Sequence, residues 1–151
     1  MKAERVELEP RTILGVHEVI AMTAMTDFFG RALATAFAEA GKQGVAPAGP
    51  PLALYHGRPT DTADVTAGFP VAEPVTGTTD AVVVTLPGGP AIQTIHTGSY
   101  DGLAATYGEL MEWVAEQKLE MGEDMWEEYL TDPDSSPDPS TWQTRIVWPL
   151  A

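Results

Sequence analysis

The sequence has no cysteine. Disulfides, thiolate chemistry and cysteine-based zinc sites are therefore excluded. It is also poor in basic residues, with 8 Lys and Arg against 22 Asp and Glu and a formal net charge of −14. Nucleic-acid binding draws much of its affinity from cations that displace counterions on phosphate, so direct binding to DNA or RNA is not expected. No apolar run approaches the length of a membrane span, and the first residues, Met1 to Glu7, hold no apolar stretch of signal-peptide type. The expected location is the cytoplasm, with no membrane partner. The acidity has two readings: it keeps the chain soluble, or it attracts cationic ligands and basic partners.

The 151 residues are 44% hydrophobic and 20% charged, an ordinary balance for one globular domain. Residues 5–18 read as extended, interrupted at Pro10. Met25, Phe29, Ala32 or Leu33, Ala36 or Phe37, and Ala40 recur at helical spacing, with Thr23, Thr26 and Asp27 as candidate caps and Gly41 as the stop. After a Pro/Gly-rich connector over 44–51, short strands are expected at 52–55 and 64–71. The second half opens with a strand over 81–86 of high β propensity. A turn at 87–90 and a hairpin partner over 91–97 follow. A second helix is expected over 102–119, entered through Gly98 and Ser99 or Asp101, with Leu103, Tyr107, Leu110, Met111 and Val114 as its apolar stripe. Strands over 125–130 and 141–148 close the chain, separated by a Pro/Asp-rich solvent loop over 132–139.

The two halves resemble each other. His17 and His96 each precede a helix, and Phe69-Pro70 and Trp148-Pro149 each end a strand; both pairs are 79 residues apart. This spacing predicts an internal duplication within a single domain over 1–151, with one repeat at about 1–75 and the other at about 78–151. The fold class is α+β: two pseudo-symmetric strand-helix-strand-strand repeats form an antiparallel sheet with helices on one face and a central cleft between the halves.

Strand alternation places Met125, Glu127 and Tyr129 on one face of their strand and Trp126, Glu128 and Leu130 on the other. Trp142, Thr144, Ile146 and Trp148 share a face of the last strand. A carboxylate beside aromatic and thioether side chains makes a pocket for a flat cation, through dispersion and cation–π attraction. The plainer alternative is that Trp126, Trp142 and Trp148 fill the core and Glu127 lies on a wet face. The segment from His96 to Tyr100 reads as a structural helix cap with a satisfied histidine. His17, His56 and His96 stand isolated in the sequence, and there is no nucleophile elbow, phosphate loop or histidine metal motif, so neither cofactor nor metal is expected. No residue pattern specifies an oligomeric state.

The run His96-Thr97-Gly98-Ser99-Tyr100, then Tyr107 and Trp113, then Trp126-Glu127-Glu128-Tyr129-Leu130, Asp132-Pro133, Thr144-Arg145-Ile146 and Pro149-Leu150 resembles the GyrI-like small-molecule-binding domain, as does Tyr55 followed by residues 64–71. This domain also serves as the effector-binding part of multidrug-sensing transcription regulators. The resemblance covers nearly the whole chain. It implies a ligand in the cleft between the repeats and a glutamate facing it two residues before a strand tyrosine, here Glu127 and Tyr129. Tyr55 is the matching wall from the first repeat, with Trp126, Trp142 and Met125 as further candidate walls. Regulators of the family carry an added helix-turn-helix, for which these residues leave no room. The resemblance implies three activities: capture of amphipathic, often cationic aromatic molecules; hydrolysis of cyclopropane-type genotoxins, with Glu127 as base and Tyr129 or Tyr55 as hydrogen-bond donor; or inhibition of a protein partner such as DNA gyrase.

Overall fold

The computed structural model describes residues 2–131 and 137–151. Eight strands form one sheet in which every pairing is antiparallel, in the order β1-β6-β8-β7-β3-β4-β2-β5. In chain order the elements are β1 (Ala3–Leu8), β2 (Arg11–Ala21), α1 (Met25–Lys42), β3 (Leu52–Tyr55), β4 (Thr62–Val71), β5 (Val82–Leu86), β6 (Gly89–Thr97), α2 (Leu103–Glu116), β7 (Met125–Tyr129) and β8 (Gln143–Pro149). The sheet curls into a half-barrel carrying two helices.

The expected hairpin between 81–86 and 91–97 does not form. β5 pairs with β2, and β6 pairs with β1. The two registers are continuous, with Leu8 opposite Gly89 and Arg11 opposite Leu86. β1–β2 and β5–β6 are thus two long arms running antiparallel, each bent where proline has no N–H to give the ladder, at Pro10 and at Pro87. The arms touch closely at the bend: a Cβ on Gly88 would lie 2.8 Å from Pro10 Cδ. Because each arm contributes strands near both ends of the sheet, the bend is what curls it.

Both helices start from a single 3-10 turn, at Met22–Ala24 and Tyr100–Gly102, rather than from a side-chain cap. Thr23, Thr26, Ser99 and Asp101 therefore do not act as caps. The second helix ends at Glu116, three residues before the expected boundary, and Lys118 follows in the left-handed region at φ 55°. Of the expected loop over 132–139, residues 132–136, including the Asp132-Pro133 of the family pattern, lie outside the described residues. Asp138 accepts from Ser140 N at 3.0 Å to start the short turn Pro139–Thr141. Among the described residues no helix is long and apolar enough to cross a membrane.

The core is layered by the pleat. Tyr55, Val65, Met125, Ile146 and Trp148 project to the helix side, where they meet Phe28 and Ala32 of α1 and Leu110 and Val114 of α2. Leu52, Leu54, Trp126 and Val147 project to the opposite face and pack with Ile13, Leu86 and Ala91 of the arms. Glu128 is buried on that face, with Arg11 Nη1 at 3.2 Å and Arg145 Nη1 at 3.6 Å.

Ladder registers show how the halves correspond. β3 pairs with β7 at the centre, Leu52 opposite Glu128 and Leu54 opposite Trp126. Tyr129 N bonds to Pro51 O, which makes Tyr55 and Tyr129 counterparts. Ala53 opposes Glu127, so these two face each other across the pseudo-twofold axis. Between β4 and β8 the 79-residue spacing holds, with Val65 matching Thr144. It does not hold between β2 and β6: His17 opposes Thr66, but His96 opposes Thr144. The structural counterpart of His96 is Glu18. A one-residue shift in a strand turns the side chain to the other face. His17 accordingly stands on the outer face, whereas His96 is buried against α2, bonded to Thr106 Oγ1 at 2.6 Å and Ser99 O at 2.8 Å.

Gly15 and Gly68 oppose each other across β2 and β4 with no room for a side chain; a Cβ on Gly68 would sit 2.1 Å from Leu14 O. Relief would have to come from backbone, because the obstruction is not a flexible side chain. Gly68→Ala is expected to destabilise the chain by about 1–3 kcal/mol, lowering Tm by roughly 2–4 °C for each kcal/mol at this chain size. Thermal denaturation followed by circular dichroism measures this, and a Tm unchanged within about a degree would contradict the packing described.

Candidate functional site

Two cavities flank the pseudo-twofold axis. The larger, about 860 Å³, lies against α1 and is walled by Met25, Phe29, Tyr55, Tyr100, Leu103 and Tyr129. The smaller, about 410 Å³, lies against α2 and is walled by Tyr107, Met111, Met125 and Trp148, with Arg58 and Glu123 also in its lining. Met22, Tyr55 and Glu127 line both. The pair forms one cleft with two lobes, each built on the helix of one repeat and meeting at Glu127. The larger lobe has a volume typical of a small-molecule site.

Glu127 is 6% exposed. It reaches the axis because β7 alternates its side chains, and it has room because its cross-strand partner is Ala53. Tyr107 Oη donates to Glu127 Oε2 at 2.5 Å, and Tyr129 Oη donates to Oε1 at 2.8 Å. Burial pushes the Glu127 carboxyl above its usual range; the hydrogen bonds from Tyr107 and Tyr129, and the charge of His96, act against that rise. The tyrosines respond in the complementary direction. Burial, followed by the Glu127 charge, raises Tyr55, Tyr107 and Tyr129 above the ordinary phenol range, so all three keep their protons. Tyr129 is further fixed by edge-on contacts, with Phe29 at 4.9 Å and Tyr100 at 5.8 Å between ring centroids.

The structure brings Glu127, Tyr129 and Tyr55 together at the centre of the cleft, with Met125 in the smaller lobe. Trp126 does not join them. It is 2% exposed and packs on the opposite face with Leu52, Leu54 and Val147, as strand alternation requires of the residue next to Glu127. Trp142 precedes β8 and stands behind Tyr100, ring centroids 5.1 Å apart, outside the lining of both lobes. Phe29, Tyr100, Tyr107 and Trp148 line the cleft without having been singled out as walls. Tyr107 carried a signal: a phenol in an apolar helix stripe needs a partner for its hydroxyl. His17 and His56 are not isolated; their rings lie edge to face at 5.2 Å and His17 bonds to Asp64.

A desolvated carboxylate destabilises the folded state wherever it is ionised. With the folded-state pKa raised, the favourable contribution is fully present below the ordinary carboxylate range and is lost as pH rises through the folded-state pKa. Glu127→Gln keeps the shape and removes the charge. It is expected to raise Tm at neutral pH, by the roughly 0.5–2 kcal/mol gained on relieving a strained functional group. The gain should shrink toward zero as the pH approaches about 4. Thermal scans of both proteins across pH test this; a difference that does not depend on pH would contradict it.

The GyrI-like small molecule binding domain model matches residues 1–151. Comparison with curated proteins gives no sequence match. Among solved structures, the C-terminal domain of EcmrR superposes with a TM-score of 0.84 at 20% identity, over 99% of this chain and 97% of that one. EcmrR in its DNA complex gives a TM-score of 0.85 at 20% identity over 99% of this chain, which spans 57% of that protein's length. SAV2435 bound to tetraphenylphosphonium gives 0.74 at 13% identity, over 100% and 94%. At these identities the superpositions establish the fold.

Proposed function

Because the chain belongs to the GyrI-like small molecule binding domain family, we propose that its cleft captures flat or globular aromatic cations, for sensing or sequestration, with Glu127 as the counter-charge. One observation carries this reading. The larger lobe is walled by methionine, phenylalanine, tyrosine and leucine, and among the described residues Glu127 is the single charged one in its lining. An apolar wall favours aromatic ligands by burial and dispersion. Ring faces add cation–π attraction. The buried carboxylate supplies a charge that water does not screen. SAV2435, of similar fold, holds a cation of this chemistry.

Binding is favoured over hydrolysis by what surrounds the carboxylate. Both Glu127 oxygens already accept hydrogen bonds from tyrosine hydroxyls, and those hydroxyls point at Glu127. An oxyanion donor needs its hydrogen aimed at the substrate, and the Tyr107 and Tyr129 hydroxyls are committed to Glu127 instead. Both groups are arranged here to stabilise the carboxylate once it is ionised. Tyr107 and Tyr129 keep the anion oriented, and Tyr55 closes the floor between the lobes.

Tetraphenylphosphonium and neutral triphenylphosphine oxide, titrated by intrinsic fluorescence, discriminate charge from shape. Glu127→Gln is expected to weaken the cation at least about tenfold, equivalent to 1.4 kcal/mol, and to change the neutral compound by less than about threefold. Equal losses for both would remove Glu127 from the role of counter-charge. Tight binding of neither compound by the unmodified protein would argue against the cationic-aromatic class.

A further inference from the structure

We propose that His17, His56 and Asp64 form a site for a divalent transition metal of the zinc type, on the sheet face opposite the ligand cleft. His17 is distant in sequence from His56 and Asp64, and the three come together through strand register. His17 on β2 opposes Thr66 on β4. Asp64 lies two residues before Thr66 and so shares its face. His56 follows β3 and bonds through its backbone N to Asp64 O at 2.8 Å, which puts it opposite Asp64. Each residue offers one ligand atom, and these atoms all lie within 4.8 Å of one another.

Two imidazoles and one carboxylate are a donor set that suits Zn²⁺ and its first-row neighbours. Ligand atoms about 2.0–2.2 Å from one ion stand roughly 3–3.5 Å from each other. Closing the triangle therefore takes small side-chain rotations, and an ion entering between His17 Nε2 and Asp64 Oδ1 replaces their direct hydrogen bond. His17 and Asp64 are nearly half exposed, which leaves the ion an entry path and room for a bound water. His56 is already oriented: Thr66 Oγ1 lies 2.8 Å from its Nε2, the kind of outer-shell contact that fixes metal-bound imidazoles. The platform consists of adjacent strands held by continuous ladders.

The fold does not need these side chains. Their structural counterparts in the second repeat are Ile95, Leu130 and Gln143, on the same scaffold without the donor set. None of the three is a core residue. Two histidines and an aspartate that converge in one repeat only, on a rigid face and away from the apolar cleft, are accounted for by coordination better than by packing.

The test is a titration of the untagged full chain with Zn²⁺ by calorimetry. Excess Mg²⁺ is included to occupy the many surface carboxylates, and Co²⁺ absorption and imidazole ¹⁵N shifts serve as independent readouts. The expected result is one tight equivalent, with shifts confined to His17 and His56. Affinity should fall at least about tenfold in His17→Ala, His56→Ala and Asp64→Asn, and stay within about twofold in the off-site control Glu73→Gln. Asp64→Asn preserves shape, so it remains informative if a histidine variant folds poorly. Binding displaced by Mg²⁺, affinities unchanged in the three variants, or shifts on His96 instead would overturn the proposal.

Discussion

A carboxylate withdrawn from water must find donors for both oxygens, and the centre of this protein is organised around that requirement at Glu127. Its charge is disfavoured by burial and held by two tyrosine hydroxyls from different elements, Tyr107 on α2 and Tyr129 on β7. That one interaction ties the second helix to the middle of the sheet and fixes the boundary between the two lobes. Where the carboxylate is ionised, it leaves the cleft with a negative charge that is incompletely compensated. A hydroxyl donor stabilises an anion without neutralising it. A cation in the adjacent lobe would complete what the tyrosines begin.

The duplicated scaffold explains why there is a single such charge. Residues on a pseudo-twofold axis face their own counterparts, and a second carboxylate opposite Glu127 would meet like charge at cross-strand distance. Ala53 occupies that place. The tyrosines just off the axis, Tyr55 and Tyr129, are duplicated without conflict, because two neutral phenols can share one acceptor region. The lobes have diverged similarly. The one on α1 is larger and, among the described residues, has Glu127 as its only charged lining residue, while the one on α2 is smaller and also carries Arg58 and Glu123. An approximate symmetry thus gives the shape, and its breaking sets the two lobes apart electrostatically.

Much of this was legible from local pattern. Helical spacing from Met25 to Ala40 and strand alternation around Trp126 follow from periodicity, the correspondence of Tyr55 with Tyr129 follows from the repeat, and the structure has these elements within a few residues of the expected bounds. Alternation alone separated Glu127 from Trp126, so Trp126 as a cleft wall was already at odds with its own strand. What could not be read was pairing between distant segments. The hairpin expected at 87–90 failed because Pro10 and Pro87 bend two arms that pair with each other rather than fold back. The equivalence of His17 and His96 failed because one residue of register separates β2–β4 from β6–β8. The same register brings His17, His56 and Asp64 together, three residues with no mutual spacing signal in the sequence.

The central claim is that the Glu127 carboxylate, held above its ordinary pKa by burial, ionises fully when a cationic ligand arrives. Calorimetry of tetraphenylphosphonium binding in buffers of different ionisation enthalpy, from about pH 5 to about pH 8, reads this directly as protons exchanged per ligand. The account predicts proton release on binding that disappears in Glu127→Gln. Binding without proton exchange at any pH, or release that persists in the variant, would contradict it.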